Sequence, residues 1–182
     1  MAKKKTLKGR KSALRKPKRK LTKKPTTKKK ISPIQKGYHS ITPYLIVNNA
    51  AQAIDFYKTV FNAKEAMRME HGGKISHAEL KIGDSKIMLA DEHPELDANS
   101  PEVYGGTPIS IHLYVKNVDA IVEQAVAAGA RIVRPVENMF YGDRSGTVVD
   151  PFGHKWHIST HVENVSPAKI KKRAEALFGD KK

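Results

Sequence analysis

The feature that most constrains the fold is a repeated order of secondary-structure signals. A strand, a helix and three further strands are predicted twice, with corresponding elements roughly 65 residues apart. In the first copy Asn48 or Asn49 caps the helix, along which apolar residues recur at helical spacing. The elements predicted for this copy are a strand at 42–47, a helix at 50–61 and strands near 65–70, 75–82 and 86–91. The duplication predicts two βαβββ modules and an α+β fold.

The second copy repeats these signals. Asn117 caps its helix, and Gly129 follows the helix end, where glycine is the favoured residue. The last two strands meet at Asp150-Pro-Phe-Gly153, a sequence typical of a tight turn. The elements predicted for this copy are a strand at 108–115, a helix at 118–128 and strands near 131–136, 144–150 and 155–161.

The basic residues are concentrated near the N-terminus. Residues 1–36 hold 17 Lys and Arg and no acid, whereas the other 146 residues hold 17 Lys and Arg against 18 Asp and Glu. The formal net charge of +16 therefore arises in the N-terminal segment. High charge with few large apolar residues does not support a packed core. Residues 1–37 are therefore predicted to be a disordered basic arm.

The basic arm is predicted to bind nucleic acid without sequence specificity. Release of counterions from phosphates drives such binding, and the arm has no aromatic side chain to stack on bases. The alternative is a tail that only improves solubility; the run from Lys16 to Lys20 would also serve as a nuclear import signal in a eukaryote. The residues expected to contact nucleic acid are Lys16, Lys18, Arg19, Lys20, Lys28, Lys29 and Lys30.

Composition excludes several classes of protein. The chain has no cysteine, which excludes disulfides, thiolate nucleophiles and thiolate metal sites. No apolar run approaches the roughly 20 residues of a membrane span, and no apolar segment of a secretory signal follows the first basic residues. We therefore expect a cytoplasmic protein, associated with the nucleoid in a bacterium or nuclear in a eukaryote.

Three stretches of the body resemble the vicinal oxygen chelate superfamily, which includes glyoxalase I, extradiol dioxygenases and bleomycin-resistance proteins. The stretches are PYLIVNNAAQAIDFYKTVFNAKE, GKISHAELKIGDSKIMLADE and VRPVENMFYGDRSGTVVDPFGHKWHISTHVE. The closer resemblance is to the PhnB-like branch, and it covers about residues 40–165. It implies a curved mixed sheet with a concave ligand cleft, in a homodimer. It does not determine the reaction, because this fold hosts many chemistries.

Strand alternation separates residues that pack on helices from residues that would line the concave side. In the last strand Trp156 and Ile158 are predicted to pack, which leaves His157 on the concave side. The apolar residues predicted to pack in the fifth strand are Ile109, Ile111, Leu113 and Val115. The predicted ligand-binding residues are Thr42, Tyr44, His77, Glu79, Met88, Ser110, His112, Tyr114, Tyr141, Arg144 and His157.

The superfamily's enzymes hold a divalent metal with His and Glu or Gln from the first, fourth, fifth and eighth strands. The positions to which the resemblance points are Thr42, Met88, Ser110 and His157. Among them His157 alone is a first-row metal ligand, so we favour no metal and assign no cofactor. An alternative metal site would combine His77, Glu79, His112 and His157. These four side chains would otherwise bind one another or water.

The segment from Phe140 to Arg144 permits two interpretations. Tyr141 and Arg144 would contact an anionic or planar ligand, since a guanidinium binds carboxylate or phosphate as a rigid fork. Alternatively, Asp143 and Arg144 form an ion pair and Phe140 fills the core. Asp150 is predicted to hold its turn rather than to take part in catalysis.

The chain is therefore predicted to comprise the basic arm at 1–37, a glyoxalase-like domain at 38–163 and a short helix with a basic tail at 164–182. Ser166 caps this last helix, which is expected to pack on the domain. We expect a protein that binds a small organic ligand in the cleft and nucleic acid through the arm. One alternative is a metal-dependent lyase, isomerase or dioxygenase that uses the His/Glu cluster. Another is a nucleic-acid-associated protein whose body serves as a dimerisation scaffold.

Overall fold

A computed structural model describes residues 31–179. The basic residues assigned to nucleic acid, from Lys16 to Lys30, lie outside the described residues. The helices and strands are β1 (Tyr44–Val47), α1 (Ala50–Phe61), β2 (Lys64–His71), β3 (Lys74–Ile82), β4 (Ser85–Asp91), β5 (Ser110–Tyr114), α2 (Val118–Ala127), β6 (Arg131–Asn138), β7 (Asp143–Val149), β8 (Lys155–His161) and α3 (Pro167–Phe178). Two short 3-10 helices, Pro94–Leu96 and Pro101–Tyr104, interrupt the connection between the two modules.

The strands confirm the predicted duplication and the α+β class. Sheet 1 has the order β1-β4-β3-β2, and sheet 2 has the equivalent order β5-β8-β7-β6. In each sheet the first strand runs parallel to the last, and the remaining pairs are antiparallel. The two predicted modules form two four-stranded mixed sheets, and within the described residues no strand pairing joins β1 to β5. The two modules therefore keep separate mixed sheets.

Helices α1 and α2 follow asparagines in equivalent positions of the two modules. The Asn49 side chain accepts a hydrogen bond from the backbone N–H of Gln52, and the Asn117 side chain accepts one from Ala120. Each bond satisfies a backbone donor that the first helical turn leaves free. The predicted caps are confirmed, and Asn49 rather than Asn48 is the residue used.

A shared apolar core joins the two modules. Each sheet has a helix face, which packs on α1 or α2, and an opposite open face. The largest fully buried side chain is Trp156 on the helix face of sheet 2. Its ring centroid lies 4.6 Å from that of Phe61 and 5.5 Å from that of Tyr57, both on α1 of the first module. Helix α1 therefore packs against both modules.

Asp150 supports this junction from the end of β7. Its buried carboxylate accepts hydrogen bonds from the Tyr57 hydroxyl at 2.7 Å and from the Trp156 indole N–H at 2.8 Å. It also accepts bonds from the backbone N–H groups of Phe152 and His154. Burial and the neighbouring carboxylate raise the pKa of Tyr57 well above its usual value. Asp150 thus has the turn role predicted for it and also links the modules.

Helix α3 is held to the body by charged side chains. Ser166 caps it as predicted, through a bond from the backbone N–H of Lys169. Arg173 forms an ion pair with Glu163 at 2.8 Å and donates to the carbonyl of Phe140. None of the residues of α3 is buried, so its packing is more superficial than predicted. Within residues 31–179, no helix is long and apolar enough to cross a membrane.

Candidate functional site

The open face of sheet 2 carries a continuous set of polar side chains. In the register of the sheet His112 lies opposite His157, and His157 lies opposite Thr147. The next row brings Tyr114, Ser159 and Ser145 together. We call this surface the polar face; it comprises His112, Tyr114, Arg134, Asp143, Ser145, Thr147, His157, Ser159 and His161.

Small hydroxyl side chains form the floor of the polar face. Ser145, Thr147 and Ser159 are fully or almost fully buried, and the Ser159 hydroxyl donates to Ser145 Oγ at 2.8 Å. Arg134 lies above them and donates from Nη2 to the same Ser145 oxygen at 3.1 Å. Its Nη1 contacts the sulfur of Met139 at 3.5 Å. A guanidinium is thus held over a floor of neutral hydroxyls.

Among the described residues, no carboxylate forms an ion pair with Arg134. Its Nε is buried without a hydrogen-bond partner in this part of the chain. Burial of an unpaired donor is unfavourable, and such groups are few in folded proteins. An orphaned donor on a guanidinium is therefore a feature that packing alone does not explain.

His157 lies in the same row of the polar face as Arg134, with Thr147 between them. Its Nδ1 is 2.8 Å from the Thr147 hydroxyl, and its ring centroid is 6.2 Å from that of His112. Burial lowers the pKa of His157, and the positive charges of Arg134, His112 and Lys155 lower it further. The neutral imidazole is therefore favoured, and it can either donate or accept a hydrogen bond.

Asp143 lies at the far end of the polar face, and both of its carboxylate oxygens have hydrogen-bond partners. Its buried carboxylate accepts from the Tyr114 hydroxyl at 2.9 Å and lies 2.7 Å from Nδ1 of His161. The bond to Asp143 raises the pKa of Tyr114. Hydrogen bonds with Asn164 and Asp143 raise the pKa of His161. These contacts stabilise the end of the sheet and leave Asp143 little capacity to bind a cation.

The open face of sheet 1 has a different composition. Tyr44, Met88, Glu79 and Met67 share one row across its four strands. Met69 lies opposite His77 in the next row. We call this surface the methionine face; it comprises Tyr44, Ile46, Met67, Met69, His77, Glu79, Met88 and Ala90.

The polar groups of the methionine face bind one another. The Tyr44 hydroxyl is 3.0 Å from Nδ1 of His77, and Nε2 of His77 is 3.7 Å from Glu79. Glu79 in turn accepts from Lys86 Nζ at 3.0 Å, and that ammonium lies 3.9 Å from the centre of the Tyr38 ring. The charges of Glu79 and Lys86 are mutually compensated, in contrast to Arg134.

A cleft of about 1590 Å³ follows the outer edge of β5. Its walls include residues 82–87, residues 109–116 and the segment that leads into β1. Apolar side chains such as Ile82, Ile111 and Leu113 line it, and His112 and Tyr114 belong both to the cleft and to the polar face. The cleft is therefore continuous with the polar face.

The structure divides the predicted ligand-binding residues between the two open faces. Those on the methionine face are Tyr44, His77, Glu79 and Met88, with Thr42 just before β1. Those on sheet 2 are Ser110, His112, Tyr114 and His157. Tyr141 lies in the turn between β6 and β7, where its ring packs on Phe140.

Arg144 lies on the other side of sheet 2. It makes a two-pronged ion pair with Asp119 on α2, with contacts of 2.6 and 2.8 Å. Asp143, its neighbour in the strand, points to the open face, because successive strand residues alternate. The ion pair considered between Asp143 and Arg144 is therefore not formed. On sheet 2 the structure shows Arg134, rather than Arg144, as the arginine of the polar face.

The residues do not fit the metal site of the superfamily's enzymes. Met88 lies opposite Tyr44, and Ser110 lies opposite Lys155, neither of which supplies the carboxylates or imidazoles that such a site requires. The alternative set is divided, with His77 and Glu79 on sheet 1 and His112 and His157 on sheet 2. Residues 31–179 contain no group of three or more His, Asp or Glu side chains arranged to hold a metal.

Sequence reasoning missed Arg134 and the hydroxyl floor. Bulges in β6 on both sides of Arg134 shift its register, so alternation along the sequence does not reveal its face. The floor lies in β7, where Ser145 and Thr147 alternate with the helix-facing Gly146 and Val148. That alternation was a usable signal.

Comparison with known proteins identifies the family to which this architecture belongs. The family model of the Glyoxalase/Bleomycin resistance protein/Dioxygenase superfamily matches residues 37–158. An uncharacterized protein of Mycobacterium bovis is 42% identical over 135 residues, which are 72% of this chain and 89% of the relative. Two solved structures are similar in fold. A gene product of Arabidopsis thaliana has a TM-score of 0.56 and 29% identity, covering 67% of this chain and 98% of that one.

TioX of Micromonospora sp. ML1 has a TM-score of 0.53 and 26% identity, again over 67% of this chain and 98% of the other. These similarities agree with the two βαβββ modules described above. The chain belongs to the glyoxalase/bleomycin resistance protein/dioxygenase superfamily.

Proposed function

We propose that the chain binds a small organic ligand on the polar face of sheet 2 and in the adjoining cleft. One observation carries the proposal: Ser145, Thr147 and Ser159 are buried on the face of sheet 2 opposite the one that packs on α2. A sheet stabilises its fold by packing apolar side chains, as the helix face of sheet 2 does. Buried polar groups on the other face therefore serve recognition better than they serve stability.

The cleft beside β5 supplies the apolar part of the proposed site. Ligand sites are usually concave and mostly apolar, with a few polar groups that determine orientation. Ile82, Ile111 and Leu113 provide the apolar wall, and His112 and Tyr114 lead from it to the polar face. A ligand with an apolar body and a polar end matches this arrangement.

A fragment screen by NMR on the full chain tests the proposal. A library with neutral, cationic and anionic members is titrated while the His157 ring signals are followed. We expect a subset to shift these signals, and His157→Gln to weaken their binding by about ten-fold through loss of a polar partner. His71→Gln is the matched control, since His71 is exposed at the end of β2. Binding that is absent, or equal in wild type and His157→Gln, would contradict the proposal.

We also propose that the basic arm binds nucleic acid. The support is its charge, 17 Lys and Arg without an acid in residues 1–36. Such a segment neutralises phosphates and releases their counterions, so its binding weakens steeply with salt. The proposal places the protein in the cytoplasm, on the nucleoid if the host is bacterial.

Removal of residues 1–36 tests the arm. Anisotropy titrations with a random-sequence DNA duplex at several salt concentrations should show binding by the full chain and its loss in the shortened chain. Fragment binding at His157 serves as the check that the body is intact. Tight DNA binding by the shortened chain would show that the body, rather than the arm, provides the nucleic-acid surface.

A homodimer is the assembly that we propose for the body. Ile109 is 72% exposed and Ile41 is 85% exposed, and both belong to the apolar cleft beside the unpaired edge of β5. A second copy would remove these side chains from water. Sedimentation equilibrium should show a dimer that Ile109→Glu dissociates, whereas Leu177→Glu, on the exposed face of α3, leaves it intact. A wild-type monomer at all concentrations would exclude this assembly.

A further inference from the structure

On the polar face, one buried hydrogen-bond donor lacks an acceptor among the described residues. Arg134 and Ser159 both donate to Ser145 Oγ, and the Thr147 hydroxyl lies against His157. The buried carboxylate of the face, Asp143, is already engaged by Tyr114 and His161. Within the described residues, the Nε donor of Arg134 therefore has no acceptor.

The missing partner must be an acceptor, and the guanidinium specifies its shape. An arginine fork matches two oxygens of one planar or tetrahedral anion, and such charge-assisted pairs are strong. Neutral hydroxyls beneath the fork and a neutral imidazole beside it add donors without competing carboxylates. A cationic ligand would meet the unpaired positive charge of Arg134 and is disfavoured.

We propose that the polar face binds a ligand through an oxyanion group, a carboxylate or a phosph(on)ate, held by the Arg134 guanidinium with Thr147 and His157 beside it. This inference rests on the function proposed above and names the chemical class of the ligand. The apolar cleft that meets this face at His112 receives the remainder of the molecule. Arg134 is then the residue that selects acids over neutral analogues.

The methionine face provides an internal contrast. The cation beside it, Lys86, already pairs with Glu79 at 3.0 Å, whereas Arg134 has no carboxylate partner among the described residues. The basic arm attracts anions without selectivity, so bulk affinity would not identify the site. The measurement must therefore be made at Arg134 itself.

NMR titration of the Arg134 Nε–Hε signal in the full chain supplies that measurement. The probes are benzoate, methylphosphonate and benzamide, the last being the uncharged match of benzoate. We expect benzoate, methylphosphonate or both to shift the signal to saturation, and benzamide to leave it unchanged. The responding probe distinguishes a carboxylate from a phosph(on)ate source. The His157 ring signals should move with the same dissociation constant.

Three variants determine whether the fork is responsible, with the His157 signals as the readout. Arg134→Met should weaken binding of the responding acid at least about ten-fold, and Arg134→Lys should give an intermediate loss because the charge remains without the fork. Arg131→Met removes an equal charge from the same strand and should change binding less than about two-fold. Arg134→Met removes the unpaired Nε donor together with the hydrogen bond from Nη2 to Ser145, so the Tm of this variant without ligand should change little.

Three results would overturn the inference. If neutral fragments shift His157 and neither acid shifts Arg134, the ligand site stands but its oxyanion partner is wrong. If no fragment or acid perturbs the polar face, the proposed function fails as well. A lower Tm for Arg134→Met together with unchanged acid binding would assign Arg134 a purely structural role.

Discussion

The methionine face of sheet 1 and the polar face of sheet 2 occupy equivalent positions in two modules of the same topology. Their helix faces are alike, since both pack apolar side chains into one core. Their open faces differ: sheet 1 presents Met67, Met69 and Met88, whereas sheet 2 presents Arg134, His157 and buried hydroxyls. Duplication has preserved the packed side and allowed the other side to change.

Packing explains why the two sides behave differently. A side chain in the core must match its neighbours in volume, so substitutions there are costly. The open faces are free of that constraint and can acquire different chemistry in each module. Differences between equivalent positions of the two modules therefore identify where the chemistry of the two open faces differs. Variants at equivalent turns of the two modules, and at the helix that follows the second module, test whether the modules differ outside their open faces as well.

The largest difference is expected between two aspartates in equivalent turns. Asp150, between β7 and β8, is buried and accepts from Tyr57, Trp156 and two backbone N–H groups. Asp84, between β3 and β4, is exposed and contacts Ser85. Asp150→Ala should lower the free energy of unfolding by about 3–5 kcal/mol, because it leaves buried donors unpaired. Urea denaturation of each variant measures the difference.

Asp84→Ala is the matched control and should change the free energy of unfolding by less than about 0.5 kcal/mol. Tyr57→Phe and Asp150→Ala should also be strongly non-additive, because the two side chains share one hydrogen bond. Equal effects at Asp84 and Asp150 would show that the second turn has no special part in joining the modules.

The β2–β3 and β6–β7 hairpins differ in a second way. Gly142 has φ of +103°, and a Cβ there would collide with the carbonyl oxygen of Glu163. Gly73 has φ of +77°, but a Cβ there would meet open space. Gly142→Ala should cost about 2–4 kcal/mol, from backbone strain plus overpacking, and Gly73→Ala about 1 kcal/mol from strain alone. Thermal denaturation of both variants measures these losses of stability. Comparable losses would show that the two hairpin glycines do not differ in this way.

Much of the architecture could be predicted because local signals and packing agree. The caps at Asn49 and Asn117 and the alternation in β8 placed helices and core residues correctly. Ile109 was predicted to pack but is exposed, since β5 begins one residue later and forms an edge of its sheet. A side chain on an edge strand has fewer neighbours to bury it than the alternation of the sequence implies.

The candidate site was less predictable because it depends on contacts across strands. Bulges in β6 conceal the face of Arg134, and the partner of Arg144 is Asp119, which lies 25 residues earlier in the chain. The metal positions of the superfamily's enzymes were assigned to this chain by strand order alone. Strand order could not show that His112 rather than Ser110 lies beside His157. These relations arise from register, which spacing within one strand does not contain.

The pKa values of two histidines of the polar face are shifted in opposite directions, so the two residues should affect stability at opposite ends of the pH range. The pKa of His157 is lowered, so stability falls as pH drops below about 6.5, where the unfolded chain takes up the proton first. The pKa of His161 is raised, so its stabilising charge is fully present below about 6.5 and is lost as pH rises through the folded-state pKa. Urea midpoints between about pH 5 and pH 8 should therefore peak near the middle of this range.

Variants separate the two histidines. His161→Gln should remove the decline above about pH 6.5, and His157→Gln should remove the decline below it. NMR titration of the ring signals gives each pKa directly. A profile that both variants leave unchanged would show that neither histidine is coupled to folding.

The smallest effect is expected at the C-terminal helix, which follows the last strand of the second module. Glu163 pairs with Arg173 and Lys169, and these bonds lower the pKa of Glu163 to about 2. A lowered pKa stabilises the docked helix above the usual carboxyl range, and that contribution is lost as pH falls from about 4.5 toward about 2. The group is exposed, so solvent screens the pairs and the effect is confined to local opening.

Amide hydrogen exchange along α3 measures this opening at neutral pH. Glu163→Gln should speed exchange in α3 about two- to five-fold while leaving exchange in β7 and β8 unchanged, because the helix buries none of its side chains. Glu175→Gln is the matched control on the same helix, since its contact with Lys171 is 4.0 Å long and both side chains are largely exposed to solvent. Faster exchange throughout sheet 2 would instead make α3 an integral part of the second module. That result would extend the difference between the modules from their open faces to their cores.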